Sequence, residues 1–199
     1  SKAAQIDNSK CISCGACVYM CPWGAIVDKS FITDVVKMLK ESANNQKYKV
    51  YAVVAPSISG QFSYAKLGQV ITAIKKLGFH SVVEVALGAD MVAYSEAAEL
   101  AEKGFLTSSC CPAFVEYVRN EFPMLLNKVS DTLSPMVMTG RAIKAKDPRA
   151  VVVFIGPCIA KKYERKTEKA EPYIDHVLTF MELQALFDSK DIDITALEE

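Results

Sequence analysis

The chain has 199 residues, 51% hydrophobic and 23% charged, a balance that favours a packed globular core and argues against disorder. Lys plus Arg and Asp plus Glu both number 23, so the zero net charge marks neither a nucleic-acid binder nor an acidic interaction tail. Its longest apolar runs, such as Val151 to Ile155, are too short to span a membrane, and SKAAQIDNSK lacks the apolar stretch of a signal peptide.

Residues 1 to about 30 hold four of the seven cysteines and the only Trp, Trp23, with little helical periodicity. So short a segment buries little core, a deficit that bound metal offsets. Phe31 to Asn45 reads as an amphipathic helix on Val35, Val36 and Leu39, running into the polar turn ESANNQK. Tyr48 to Val54 is a β-branched strand that ends at Ala55-Pro56-Ser57. Leu67, Val70, Ile71, Ile74 and Leu77 share a helix face, with Gly78 as its stop. A strand at Ser81 to Val85 and a helix from about Asp90 to Glu102 follow. Phe105 and Leu106 read as a short strand leading into TSSCCP.

Pro112 opens a helix that Phe122-Pro123 closes, and Ser134-Pro135 starts another that reaches Lys146. AVVVFIGP, apolar on both faces, is the pattern of a buried parallel strand. His176 to Leu178 is a shorter strand, after which Thr179 and Glu182 form a capping-box pattern ahead of FMELQALFDSK. Strands alternating with helices predict an α/β fold, with one or more parallel-sheet lobes flanked by helices.

Seven cysteines, an odd number clustered at short spacing, are poor disulfide material and point to metal in a reducing, cytoplasmic setting. Cys11, Cys14, Cys17 and Cys21-Pro22 follow the spacing of a bacterial ferredoxin run for a 4Fe–4S cluster. A zinc knuckle is the alternative, although zinc sites usually separate two ligand pairs by a longer loop. In two-cluster ferredoxins the fourth cysteine ligates the other cluster. No second triplet exists in this chain, so Cys21 either completes the local cluster or has lost its partners upstream of Ser1.

Cys110-Cys111-Pro112 and Pro157-Cys158 are each expected after a strand, in loops that α/β sheets gather into one crevice. Buried structural cysteine is the competing reading. Glu96, Glu99 and Lys103 lie at i, i+3 and i+7 on one helix face, where a plain Glu99–Lys103 surface pair is the simplest expectation.

TSSCCPAF and GPCIAKKYE, with the ferredoxin run, Ala55 to Ser57 and Ser134-Pro135 in order, resemble the iron-only (FeFe) hydrogenases from about Asn8 to Leu197. The resemblance implies a ferredoxin-like 4Fe–4S segment at 1–30 and a catalytic-domain portion at 31–199. The family's H-cluster is a 4Fe–4S cubane bridged by cysteine to a diiron unit carrying CO, cyanide and a dithiolate. Carried over, Cys111 and Cys158 ligate the cubane, and Cys110 stays unligated to pass protons to and from the bridgehead amine. Lys161 donates to one cyanide, and Ser57 with the Pro56 loop holds the other. Glu96, Ser130 and Glu99 form a relay from Cys110 to the surface. Electrons are expected from a ferredoxin or another redox protein, and the diiron unit from hydrogenase maturation factors.

Several positions depart from the family pattern. Gly156 stands where Met is usual, Met136 where Gln is common, and Phe114 near a frequent Trp. The third motif, a Cys-x-x-x-Cys that supplies two further cubane ligands, is absent from these 199 residues, so hydrogenase activity is not expected of this chain alone. Two other functions share the framework: a non-enzymatic iron–sulfur carrier or assembly protein, and a hydrogen or redox sensor.

Overall fold

A computed structural model describes residues 5–199. The N-terminal segment contains one short helix, α1 (Ala16–Met20), none of whose residues is buried. In α2 (Ile32–Glu41), Val35 turns fully inward. The polar turn after it uses three left-handed residues, Ala43, Asn44 and Asn45. Asn45 then pins the entry to the sheet, accepting from Val50 N at 2.9 Å and donating to Gly78 O at 3.0 Å.

Strand β1 (Val50–Val54) pairs in parallel with β2 (Ser81–Glu84) on one side and β3 (Val151–Gly156) on the other. Strand β4 (His176–Thr179) adds in parallel to β3, giving the order β2-β1-β3-β4. The two central strands are apolar throughout because both of their faces are covered. Residues 152–155 of β3 are all buried, and each such side chain contributes roughly 1.5–3 kcal/mol relative to exposure.

Between β1 and β2 lie α3 (Ile58–Gln61) and α4 (Leu67–Lys76), the latter burying Val70, Ala73 and Ile74. Gly78, at φ 108°, ends that passage. Helix α5 (Ala86–Lys103) starts four residues before the predicted Asp90, because β2 runs into it without a loop. Val85 N bonds Val54 O at 2.9 Å, and Val85 O already accepts from Ala89 N at 2.9 Å.

No strand forms at Phe105–Leu106. The chain turns at left-handed Gly104, Phe105 is exposed, and only Thr107 makes an isolated parallel bridge, to Val129. TSSCCP is therefore anchored to the 128–132 stretch, through Thr107 N to Lys128 O and Ser130 N to Thr107 O, both at 2.8 Å, and not to the sheet.

Helices α6 (Pro112–Glu121) and α7 (Pro135–Lys146) begin at the predicted prolines, and α7 packs on α5, β1 and β3. Helix α8 (Ala160–Glu164) follows β3, and α9 (Phe180–Asp188) follows β4 with the expected Thr179–Glu182 capping box. Among the described residues no helix is long and apolar enough to cross a membrane.

Candidate functional site

From β1 the chain leaves toward β2, whereas from β3 it leaves toward β4 on the opposite side. Such a reversal opens a crevice at the carboxyl ends of the two strands, the usual ligand position in open parallel sheets. A cavity of about 230 Å³ lies there, lined by Ser57 after β1, by Pro157, Cys158 and Lys161 after β3, and by Cys110, Met136 and Phe154. The turn after β1, the cysteine loop before α6 and the start of α8 thus converge although up to about a hundred residues separate them.

Two expected residues are set differently. Pro56 lines a neighbouring cavity of about 220 Å³, shared with Leu67, Ile71 and Ile74 of α4, and not the one that holds Cys158. Cys111 is exposed at the N-cap of α6 and does not line the Cys110–Cys158 cavity, since α6 follows no strand that would aim it inward.

Gly156 explains its own departure from the family pattern. A Cβ at this position would come within 2.6 Å of the Phe154 ring, so an aromatic fills the room a larger residue would need.

Lys161 is held from two sides. Its Nζ donates to Cys110 O at 2.8 Å and to Glu164 Oε2 at 2.6 Å, and both side chains of this pair are 12% exposed. An ammonium so fixed is a charge-assisted donor beside the cavity, suited to an anionic ligand. Thiol, ammonium and hydroxyl groups around one pocket with apolar Met136, Val85 and Phe154 walls fit a sulfur-ligated, anionic iron group.

The helix-face residues divide into two hydrogen-bonded groups. Ser130 Oγ donates to Glu99 Oε2 at 2.6 Å, and Lys103 Nζ donates to Glu99 Oε1 at 2.6 Å. Lys103, then Ser130, hold the Glu99 carboxyl at about 2 against the upward push of burial. Glu96 instead accepts from Ser108 Oγ at 2.9 Å, and Ser108 Oγ accepts from Cys110 N at 3.4 Å. Among the described residues no hydrogen bond joins Ser130 to Glu96, so the expected order Cys110, Glu96, Ser130, Glu99 is not continuous.

Ser108 and Glu164 were not singled out from sequence, though both carried a signal. A Ser two residues before Cys110 commonly bonds the backbone N–H there, and Glu164 lies at i+3 from Lys161.

In the N-terminal segment Cys11 and Cys17 line one hollow of about 320 Å³ with Ser13, Gly15, Ile159 and Lys162; Cys14 and Cys21 are not in its wall. Among the described residues no three Cys, His, Asp or Glu side chains converge on a single-ion position. A cubane requires no such point, because each thiolate binds a different iron.

The donor chemistry suits thiolates. Ser13 N donates to Cys11 Sγ at 3.4 Å, and the backbone N–H groups of Trp23, Ala25 and Ile26 lower the Cys21 thiol from its ordinary value. All seven cysteines are free.

Residues 48–199 match the family described as "Iron only hydrogenase large subunit, C-terminal domain", and residues 4–27 match a "4Fe-4S binding domain". Iron hydrogenase 1 of Clostridium pasteurianum is 31% identical over all of this chain and 46% of its own length. The cytosolic Fe-S cluster assembly factor NAR1 of Debaryomyces hansenii is 29% identical over 97% of the chain and 41% of its own length.

The solved apo [FeFe]-hydrogenase HydA1 of Chlamydomonas reinhardtii shares the fold, with a TM-score of 0.74 at 24% identity over 86% of this chain and 50% of that one. The chain thus spans about half the length of these relatives, which include both hydrogenases and an assembly factor. A 4Fe–4S segment followed by this parallel sheet and its two cysteine motifs makes the chain a member of the iron-only hydrogenase large-subunit family.

Proposed function

We propose that this chain is the electron-entry segment and the first two cysteine motifs of an FeFe-hydrogenase, with a ferredoxin-like unit at 1–30 and a catalytic-domain portion at 31–199. The whole protein would reduce protons reversibly to hydrogen in the cytoplasm. A ferredoxin or similar redox protein would supply its electrons, and maturation factors its diiron unit. The observation that carries this reading is the cavity at the ends of β1 and β3, where Cys110, Cys158, Lys161 and Ser57 line one wall system.

When bound, the H-cluster supplies the redox-active iron at which two protons and two electrons become hydrogen. Cys158, in the wall of the cavity, and Cys111, just outside it at the start of α6, would be the cubane ligands this chain offers. Lys161, steadied by Glu164 and by the carbonyl of Cys110, has one N–H left and would donate it to a cyanide, and Ser57 would offer a hydroxyl to the other. The Cys110 thiol holds and releases the proton nearest the reaction. Glu96 would exchange protons with the Ser108 hydroxyl, while Glu99 with Ser130 and Lys103 forms a separate group with no hydrogen bond to it among the described residues. Met136, Val85 and Phe154 give the pocket apolar walls, where a charge is less screened than in open water.

The similarity to an Fe-S assembly factor supports a second reading, a non-enzymatic carrier. A carrier has no use for a fixed ammonium beside a free thiol, and that is what separates the two. The test is hydrogen evolution from reduced viologen by the matured whole protein and its Cys110→Ser variant. The variant is expected to lose roughly 10²–10⁴-fold in turnover, as for removal of a positioned proton donor. Normal turnover in Cys110→Ser would contradict the role given to this thiol. The 199-residue chain alone, matured in the same way, is expected to evolve no hydrogen.

A further inference from the structure

Lys162, next to Lys161, faces away from the cavity and is among the few buried charged residues of the fold, its side chain 7% exposed. An ammonium has three protons to place. Two are donated, to the carboxylate of Asp28 and to the carbonyl of Lys29 at 2.9 Å, and Glu182 Oε2 stands at 2.8 Å as an ion-pair partner.

Glu182 is itself fully engaged. Its Oε1 accepts from Phe31 N at 3.1 Å and its Oε2 from Thr179 N at 2.7 Å. Burial pushes this carboxyl up, yet the Lys162 ammonium and the surrounding N–H groups bring it below its ordinary value. One cation therefore joins three parts of the chain: the end of the N-terminal segment, helix α8, and the β4–α9 cap.

A second contact lies on the same side. Gly15, between Cys14 and Cys17, has φ 79°, and a Cβ there would come within 2.9 Å of Ile159 Cδ1. Ile159 immediately follows Cys158. The loop of one cysteine motif thus rests on the residue beside the other, and Lys162 lines the same hollow as Cys11 and Cys17. Elsewhere the segment has little hold on the body, since no residue of α1 is buried.

We propose that Lys162 is a positioning residue: it latches Asp28 and Lys29 to α8 and so keeps the Cys11–Cys21 loop seated on Ile159, closing the electron path between the two cysteine motifs. Electron tunnelling falls steeply with the gap, so a contact that fixes this gap governs entry of electrons. The inference rests on the proposed reading of both motifs as iron–sulfur sites.

The test is hydrogen exchange on the iron-reconstituted 199-residue chain, comparing wild type, Lys162→Met, Asp28→Asn and the double variant. Met keeps an apolar stem of similar length while removing the charge. Exchange in residues 11–31 is expected to accelerate on the order of tenfold in Lys162→Met, with residues 48–156 unchanged. Asp28→Asn should produce part of that acceleration in the wild-type background and none in Lys162→Met, because both act through one contact.

A lysine that merely supports α8 would show no such coupling to Asp28. The latch is overturned by unchanged exchange in 11–31, by acceleration spread evenly over the body, or by an undiminished Asp28→Asn effect in the double variant. Should Lys162→Met fail to fold, Asp28→Asn alone decides: acceleration confined to 11–31 supports the latch, and its absence overturns it. A wild-type chain that takes up no iron counts against the iron–sulfur reading of the segment, while the exchange comparison still decides the latch.

Discussion

The N-terminal segment and the α/β body hold their shapes by different means. In the body, Val50, Ala52 and Val53 of β1 and Val152, Val153 and Ile155 of β3 are wholly removed from water, and helices cover both strands. In the segment, Tyr19 is 89% and Trp23 88% exposed, and α1 buries nothing. A chain of fewer than thirty residues cannot offset its conformational entropy by burial, so its order must come from bound metal and from contacts with the body. The body has a buried apolar core of its own. Stability of the body and metal binding by the segment should therefore be separable, and substitutions should affect one without the other.

The largest contrast comes from the cysteines. Cys14→Ser is expected to reduce iron uptake from about four atoms per chain to near zero. The same variant should leave urea unfolding of the body unchanged by far-UV circular dichroism, and a collapse of the body would break the comparison.

Ile155→Ala should do the reverse, lowering stability by about 2–5 kcal/mol in urea while the N-terminal segment still takes up iron. Thr179→Ala removes the hydroxyl that accepts from Glu182 N at 3.2 Å, and about 1 kcal/mol of body stability with it.

The smallest effect concerns acid. Glu99 has an ordinary value of 4.5 and is held at about 2 in the fold by Lys103 and Ser130. A carboxyl depressed on folding contributes stability that is complete above about 4.5 and is lost as pH falls toward about 2. Glu99→Gln should flatten that acid limb, and acid unfolding identical to wild type across this window would show that the ion pair contributes nothing.

Much of the body was legible because strong local signals agreed with the global fold. Prolines and glycine punctuated the helices, Ser134 and Thr179 capped as their sequence context demanded, and the unbroken apolar run at β3 marked a central parallel strand. Phe105–Leu106 misled because two apolar residues carry no periodicity, and the αL turn at Gly104 redirects them.

Of the site, only the Cys158 loop could be placed through topology, since chain reversal between β1 and β3 fixes where a crevice opens; Cys110 reaches it with no strand before it, from a loop anchored on the 128–132 stretch. The outward position of Cys111 and the placement of Pro56 depended on loop orientation, which spacing does not encode. The link from Glu96 to Ser108, in place of Ser130, depended on which hydroxyl the anchored TSSCCP loop brings nearest. Lys162 had no sequence signal at all. Its three partners lie 134, 133 and 20 residues away along the chain, and only the fold assembles them.

A hydrogenase active site and a carrier differ in what the cavity between the ends of β1 and β3 would hold. Infrared spectroscopy of the whole protein carrying this chain, matured with the diiron unit, distinguishes them. A hydrogenase site is expected to give CO and cyanide stretching bands together with hydrogen evolution from reduced viologen. A protein that binds its iron–sulfur clusters yet shows neither CO nor cyanide bands would contradict the hydrogenase reading.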